Sequence, residues 1–409
     1  MAGKPRVAFI QPRLDGHGGL EKFGVYVIQQ LAEKVPVDVI SEHEVDLSRV
    51  ERAFGVRLDQ PRFLCDPRCN PVMPPGGSLA ARAQWKKRRD GYRELTAGYD
   101  LVIGQTVGLP FRSGARRSVL LCHFPVVRRQ KVDPSIPHTG LASLLSAAGR
   151  EQRDIRSRLD SWSHVVSNSD YTRRWVRNYW HRDSSLLFPP IELPDAPDMS
   201  AKTNWIIGVA YFSPGEPGEN MGHKRQEILI DTFRALCDEG LRDWELHLAG
   251  HVLPPTPEAH AYVDGLRRRA EGYPIHLHTD CPHAELMDIY RRGSIFWHAT
   301  GYGVDAEARP ERCEPFGMVT VEAMGWGCVP VVINRGGQPE IVQHERSGYL
   351  WDTVEQLKDW TLRLIRQPEL RVGLAHRAVE RAQDFGLPRF RKEVDRLLDA
   401  ELEKAAAAR

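Results

Sequence analysis

Apolar positions along this chain recur in a fixed order: a short unbroken run, a polar or glycine-rich stretch, then apolar residues at helical spacing. The first round is "RVAFI", the loop "QPRLDGHGGLEKF", the segment "EKFGVYVIQQLAEK" and the run "VPVDVI". A continuous apolar run bounded by turn residues reads as a buried strand, and a three-to-four spacing reads as an amphipathic helix. The pattern predicts a β-α-β unit with its loop at the carboxyl end of the first strand. "YDLVIGQ" and "SVLLCHFP" predict further buried strands. "SHVVSNSDYTRRWVRNYW" predicts a strand running into a helix capped by Ser169 or Asp170.

The order breaks at residues 188–204, "FPPIELPDAPDMSAKTN", where proline clusters against both strand and helix. It then resumes with "NWIIGVAYF", the helix "RQEILIDTFRALCDEG", "WELHLAG", "PIHLHT", the helix "HAELMDIYRRG", "IFWHAT" and "VPVVI". Strand and helix alternate on both sides of the break. The fold class is therefore α/β, two doubly wound Rossmann-like parallel-sheet domains facing each other across a cleft. The expected limits are 1–190 for the first domain, 191–203 for a linker and 204–386 for the second. A charged amphipathic helix over about 387–405 is expected to pack back on the first domain. Ligands of open α/β sheets bind beyond the carboxyl ends of the strands.

Composition narrows the partners. A chain of 409 residues suits two domains, and 41% hydrophobic residues give each a core. The net charge of +2 argues against a nucleic-acid-coating surface. Of the seven cysteines only Cys65 and Cys69 are close, in "CDPRC", and no second pair follows at zinc-site spacing. Reduced thiols in an intracellular protein are the expectation. The start "MAGKPRVAFIQPR" has no signal-peptide core, and no run approaches the roughly 18 apolar residues of a membrane span. A cytoplasmic location is expected, with contact at the inner face of the membrane as an addition. That contact would use Lys86, Lys87, Arg88 and Arg89 in "WKKRRDGY", a run that also reads as a solvated helix face.

Phosphate chemistry enters through the first loop, "DGHGGLE". Gly16 and Gly18 open a G-x-G-x-x-G pattern, but Glu21 stands at its third position, and no G-x-x-x-x-G-K-[ST] loop occurs. Glycines that let backbone N–H groups approach an anion at a helix start remain. Lys224 and Arg225 precede the helix of the second domain, where a lysine can neutralise phosphate as a point charge.

Residues 313–332, "CEPFGMVTVEAMGWGCVPVV", place Glu314 and Glu322 around a predicted helix start. Pro315 turns Glu314 away from helical geometry, so Glu314 precedes the helix and Glu322 lies one turn inside it. The amides of Gly317, Met318 and Val319 lack partners one turn back. An anion over those amides would be flanked by a carboxylate on each side. Carboxylates are poor phosphate ligands, so their targets are hydroxyls, and a nucleotide sugar supplies both.

"EPFGMVTVE" resembles the E-x7-E motif of retaining GT-B glycosyltransferases, with surroundings similar to family 4. The resemblance continues in the N-terminal glycine loop, "CHFP", "VVSNSDYTRRWV", "KRQEILIDTF" and "GGQPEIV". It implies an acceptor-side first domain, a donor-binding second domain and transfer of a hexose with retention. Catalytic roles fall on His123, Glu314 and Lys224: His123 near the donor sugar, Glu314 on its hydroxyls, Lys224 on the leaving diphosphate. Donor binding falls on Gly18, Gly19, Phe316, Gly317, Met318 and Val319, with Glu322 on the ribose. Many relatives carry an arginine shortly before the lysine, where Tyr211 stands here, and Arg225 is the candidate replacement.

The implied mechanism is front-face, with the leaving phosphate taking the acceptor's proton, and needs neither metal nor other cofactor. No D-x-D occurs, and Asp305-Ala-Glu307 reads as loop polarity. The expected donor is GDP-mannose, with a UDP-sugar as the alternative, and the acceptor is a glycan or lipid-linked saccharide. A non-catalytic sugar-nucleotide binder and an epimerase are the rival readings. Nucleic acid is not expected as a partner.

Overall fold

The computed structural model describes residues 5–14, 18–70, 79–125, 147–214 and 223–407. The chain forms two compact units, Met1–Pro190 with Phe390–Arg409, and Ile191–Arg389.

The first unit holds strands β1 (Val7–Ile10), β2 (Val37–Ser41), β3 (Arg62–Cys65), β4 (Leu101–Val107), β5 (Arg117–Phe124), β6 (His164–Ser167) and β7 (Ser185–Leu186). They pair in parallel in the order β3-β2-β1-β4-β5-β6-β7. The second unit holds β8 (Trp205–Val209), β9 (Glu245–Gly250), β10 (Ile275–Thr279), β11 (Ile295–His298), β12 (Val329–Ile333) and β13 (Tyr349–Trp351). Their order, β10-β9-β8-β11-β12-β13, repeats the first unit's arrangement about its own reversal point. In each sheet the reversal leaves a crevice at the carboxyl ends, between β1 and β4 and between β8 and β11.

The central strands are apolar on both faces because helices cover both. β1 and β12 are buried at every position. Isolated parallel strands with such faces are unstable in water, so each sheet exists only with its helices.

The proline-rich stretch after Pro190 runs against the second unit. Ile191 pairs with Gly386, and the Lys202 ammonium donates to the carbonyls of Tyr290 and Gly293 at 3.1 and 2.7 Å. From Phe390 onward the helix Leu387–Ala407 belongs to the first unit. Its Phe390 ring packs edge-on against Phe23 at 5.5 Å.

The helix Asp170–Trp180 is capped by Ser169, whose hydroxyl accepts from the Thr172 amide, while Asp170 sits in its first turn. All seven cysteines are free thiols, and Cys65 and Cys69 are not bridged. Among the described residues no helix is long and apolar enough to cross a membrane.

Candidate functional site

The second unit builds its site from a strained turn. Gly317 caps the helix Met318–Gly325 at φ 116°, a conformation open to glycine alone. A Cβ there would fall 2.3 Å from Gln338 Nε2. The loop after β12 braces the approach to this turn. The Gly337 amide donates to the Glu314 carbonyl at 2.8 Å, and a Cβ on Gly336 would stand 2.1 Å from that oxygen. The buried Phe316 ring packs on Phe385 at 5.6 Å and anchors the segment from below. Thr320 ties the helix to this loop by donating to Gln338 Oε1 at 2.9 Å.

This frame fixes Glu314 outside the helix and Glu322 inside it. The amides of Met318 and Val319 begin the helix with no carbonyl one turn back, so the positive end of its dipole is available there.

Lys224 arrives from the other side of the crevice, just before the helix Gln226–Asp238. The side-chain amide of Gln226 donates to the Tyr211 carbonyl at 3.0 Å and holds the two segments together. The Lys224 ammonium then lies 2.6 Å from Glu314 Oε2 and 4.8 Å from the centre of the Tyr211 ring. Burial disfavours charge on both groups, and their mutual attraction overcomes it. The Glu314 carboxyl is held well below the usual carboxylate range by Lys224 and His298, and the Lys224 ammonium is held above its ordinary value by Glu314 and Tyr211. The pair is ionised at neutral pH.

His298, the last residue of β11, is the group the sequence reading missed. It is 4% exposed, and its Nε2 lies 3.9 Å from Glu314 Oε2, beyond hydrogen-bond reach. Both ring nitrogens lack a hydrogen-bond partner among the described residues. Burial lowers its pKa, so a neutral imidazole with unused hydrogen-bonding capacity lies beside the carboxylate. Buried polar atoms are rarely left unsatisfied without a use. The neighbouring Thr300 hydroxyl is in the same condition. A histidine closing an apolar strand, "IFWHAT", was the signal available.

Glu322 accepts a hydrogen bond from the Tyr290 hydroxyl at 2.9 Å. Tyr290, fully buried, was also not singled out, since an aromatic residue on an amphipathic helix reads as core. Arg225 takes the helix cap with φ 60° and lies 3.6 Å from Glu227. Asp305 folds on itself, accepting from the amides of Glu307 and Ala308, which is a turn.

In the first unit, Gly18 caps the helix Gly19–Lys34 in extended geometry, and a Cβ on it would meet nothing within 4 Å among the described residues. Asp15, Gly16 and His17 lie outside the described residues. His123, near the carboxyl end of β5, contacts Gln105 Oε1 through Nε2 at 2.7 Å and the edge of Phe23 at 5.2 Å. The Gln105 amide nitrogen is turned to Gln11 Oε1, so its oxygen faces His123 and sets Nε2 as the donor. Burial lowers the His123 pKa to about 4, and the ring is neutral. Gln11 and Gln105 were not legible as site residues.

Of the basic run, Arg88 is engaged with the buried Glu42 at 2.8 Å, and Arg89 lies on the Trp85 ring and near Asp90 and Asp154. Lys86 and Lys87 face solvent. Residues 126–146, which would extend the run, lie outside the described residues.

Residues 218–383 match the family model of glycosyl transferases group 1. Over 241 residues the chain is 22% identical to the GDP-Man:Man(3)GlcNAc(2)-PP-Dol alpha-1,2-mannosyltransferase of Dictyostelium discoideum, covering 55% of this chain and 45% of that protein. Over 128 residues it is 35% identical to a D-inositol 3-phosphate glycosyltransferase of Saccharomonospora viridis, covering 31% of this chain and 26% of that one. These curated relatives are thus matched over less than half their length. Among solved structures, Alr3699/HepE of Anabaena in complex with UDP and glucose superposes with a TM-score of 0.64 at 15% identity, covering 97% of this chain and 99% of that one. A glycosyltransferase of Rickettsia africae gives 0.67 at 11% identity, covering 98% of this chain and 99% of that one. The shared architecture is GT-B.

Proposed function

Starting from a GT-B chain that resembles glycosyltransferase family 4 and whose second unit matches glycosyl transferases group 1, we propose that it transfers a hexose from a nucleotide diphosphate sugar with retention. The observation that carries this reading is the Lys224–Glu314 pair at 2.6 Å, set beside the start of the helix Met318–Gly325. A cation and free helix amides suit a diphosphate, and the carboxylate between them suits a sugar hydroxyl.

The chemistry asked of the protein is electrostatic. As the glycosidic bond breaks, negative charge grows on the leaving diphosphate, and Lys224 with the amides of Phe316, Gly317, Met318 and Val319 stabilises it. The acceptor hydroxyl attacks on the same face and gives its proton to the departing phosphate oxygen. No side chain needs to become a covalent nucleophile. Glu314 orients the sugar, Glu322 receives the ribose hydroxyls, and Gly18 and Gly19 give an anion access to the start of the first helix. His123 contributes a neutral imidazole to the sugar.

GDP-mannose is the proposed donor, supported by the activity named for the Dictyostelium relative, and a glycan or lipid-linked saccharide is the proposed acceptor. Lys86 and Lys87 are the groups offered to an anionic membrane surface. Thermal stabilisation across a panel of nucleotide sugars tests the donor, because a specific ligand raises the melting temperature by mass action. GDP-mannose should give the largest shift. Large shifts with UDP-sugars and none with GDP compounds would reassign the donor. Binding without transfer to any acceptor would leave a sugar-nucleotide binder, and product without acceptor an epimerase.

A further inference from the structure

The edge of the second sheet carries a cluster that the donor site does not use. β9 and β10 pair with His247 directly opposite His276. Side chains alternate across a strand, so Glu245 and His247 share a face of β9, and His276 and His278 share the same face of β10. On that face Glu245 Oε2 lies 3.1 Å from His247 Nε2 and 3.2 Å from His276 Nε2. The three ligand atoms fall within 4.8 Å of one another. The His247 and His276 rings stack at 4.6 Å, and both present Nε2 to the same Glu245 oxygen.

Two further contacts extend the arrangement. His247 Nδ1 is 3.0 Å from His278 Nε2, and His278 Nδ1 is 2.7 Å from Glu285 Oε1. The hydrogens available along this row fall short of its contacts. Glu245, His247, His278 and Glu285 make three contacts in series, and each contact needs one positive centre between two acceptors. With one hydrogen on each imidazole the row holds two hydrogens. The row is one positive centre short.

If His247 Nδ1 donates to His278 and His278 Nδ1 donates to Glu285, the unfilled contact is the one between Glu245 and His247. That is where His276 Nε2 also converges. A metal ion in tetrahedral coordination at about 2.0–2.1 Å holds adjacent ligand atoms about 3.4 Å apart. The observed 3.1 and 3.2 Å are close to that spacing. A ligating imidazole whose other nitrogen donates onward toward a carboxylate is the usual outer support of such a site. The neighbouring cation Arg292 is engaged elsewhere, 3.7 Å over the Trp205 ring and 3.9 Å from Asp288.

We propose that Glu245, His247 and His276 bind one divalent transition-metal ion of the zinc class, clamping the edge strand β10 to β9. Water completes the coordination, since Glu245 and His276 are both about half exposed. Imidazole and carboxylate ligands suit zinc and its neighbours rather than magnesium or calcium. The site lies toward the amino ends of the strands, whereas Lys224 and Glu314 lie at the carboxyl ends. The clamp is therefore structural and independent of the transfer reaction.

The test is calorimetric titration of zinc chloride into tag-free, chelator-stripped full-length protein, with cobalt absorption as a second readout. We expect one equivalent bound, visible cobalt bands below six-coordination, and a higher melting temperature with zinc. Glu245→Gln and His276→Gln alter half-exposed side chains and should keep the apo melting temperature while weakening zinc binding at least about ten-fold. Both retain every cysteine, so thiol binding would persist in them. Uptake unchanged in both variants, or no stoichiometric uptake by the parent protein, would overturn the proposal and leave an extra proton as the missing positive centre.

Discussion

Lys224 and Glu314 stand ninety positions apart in sequence, and their charged atoms meet at 2.6 Å in a largely buried setting. Removing one member leaves the other as a desolvated charge, which costs more than the pair itself contributes. Lys224→Met and Glu314→Gln should each destabilise the chain by about 3 kcal/mol, and the double variant by less than the sum. Urea unfolding of the four proteins checks this. Turnover on the folded fraction should drop by about 10²–10³ in each single variant, the range seen when a charge-stabilising group is lost. Additive stabilities would show that the two charges do not interact.

His298 extends the argument. Among the described residues its ring nitrogens are buried and unpartnered beside Glu314, so the site is poised to donate one more hydrogen bond. His298→Leu removes that capacity with little change in volume. Stability should stay level or rise, because an unsatisfied polar group has gone. Catalytic efficiency with the best donor should fall by about ten-fold or more, the worth of a lost hydrogen bond in a site. An unchanged efficiency would reduce His298 to a core residue.

The Tyr290 hydroxyl donates to Glu322 at 2.9 Å and sets the direction of that carboxylate. Glu322→Ala should raise the dissociation constant for the nucleotide while leaving turnover at saturation within a few-fold. Tyr290→Phe should produce the same pattern more weakly, by about ten-fold in affinity, since a hydrogen bond to a charged group contributes about 1.5–3 kcal/mol. Competition between free nucleotide and donor measures both. A loss confined to turnover would move Glu322 to the reacting end of the ligand.

Much of this was legible because each inference needed only local pattern. The buried strands from "RVAFI" to "VPVVI" announced themselves as apolar runs, and the helix start at Gly317 followed from Pro315 and the glycine. β3 was not legible, since Arg62–Cys65 is half exposed and alternates too weakly to stand out. β13 is only three residues long and carries no pattern of its own. The site residues that escaped share another cause. Gln11, Gln105 and Tyr290 act through partners far away in sequence, His298 closes an apolar strand, and polar or aromatic residues in apolar elements look like core. The histidines of "ELHLAG" and "PIHLHT" escaped because a cross-strand cluster has no spacing along the chain.

Three glycines separate packing from ligand access. Gly317 at φ 116° and Gly336 at φ 62° are required by the turn, with a Cβ only 2.3 and 2.1 Å from Gln338 and the Glu314 carbonyl. Gly317→Ala and Gly336→Ala should each lower stability by at least about 1 kcal/mol and weaken nucleotide binding along with it. Gly18 has ordinary backbone geometry and no neighbour within 4 Å of a Cβ among the described residues. Gly18→Val should therefore cost no more than the loss of a helix cap, about 1 kcal/mol, and a larger loss of donor affinity there reports blocked approach of an anion. Destabilisation well beyond that, with donor affinity unchanged, would return that glycine to the role of a simple turn.

Acid sensitivity of the first unit should trace to Glu401. This carboxylate, 1% exposed on the helix Leu387–Ala407, receives Arg117 Nε, His164 Nδ1 at 3.1 Å and the Lys404 ammonium at 3.0 Å. Burial alone would raise its pKa, but the hydrogen bonds from His164, Arg117 and Lys404 hold it well below the ordinary 4.5. A carboxyl whose folded pKa is depressed adds stability that is complete above the unfolded value and fades as pH falls toward the folded one. Glu401→Gln should therefore cost about 3 kcal/mol at pH 7, where Arg117 loses its counter-charge in a buried setting. That difference should hold down to about pH 5 and shrink steadily below about 4.5, as the unfolded chain begins to take up the proton. Urea midpoints of both proteins between pH 7 and pH 3.5 measure it. A gap of constant size across that range would mean that Glu401 titrates alike in both states, and that the helix is held to the first unit by its apolar contacts at Phe390, Val394 and Leu398 alone.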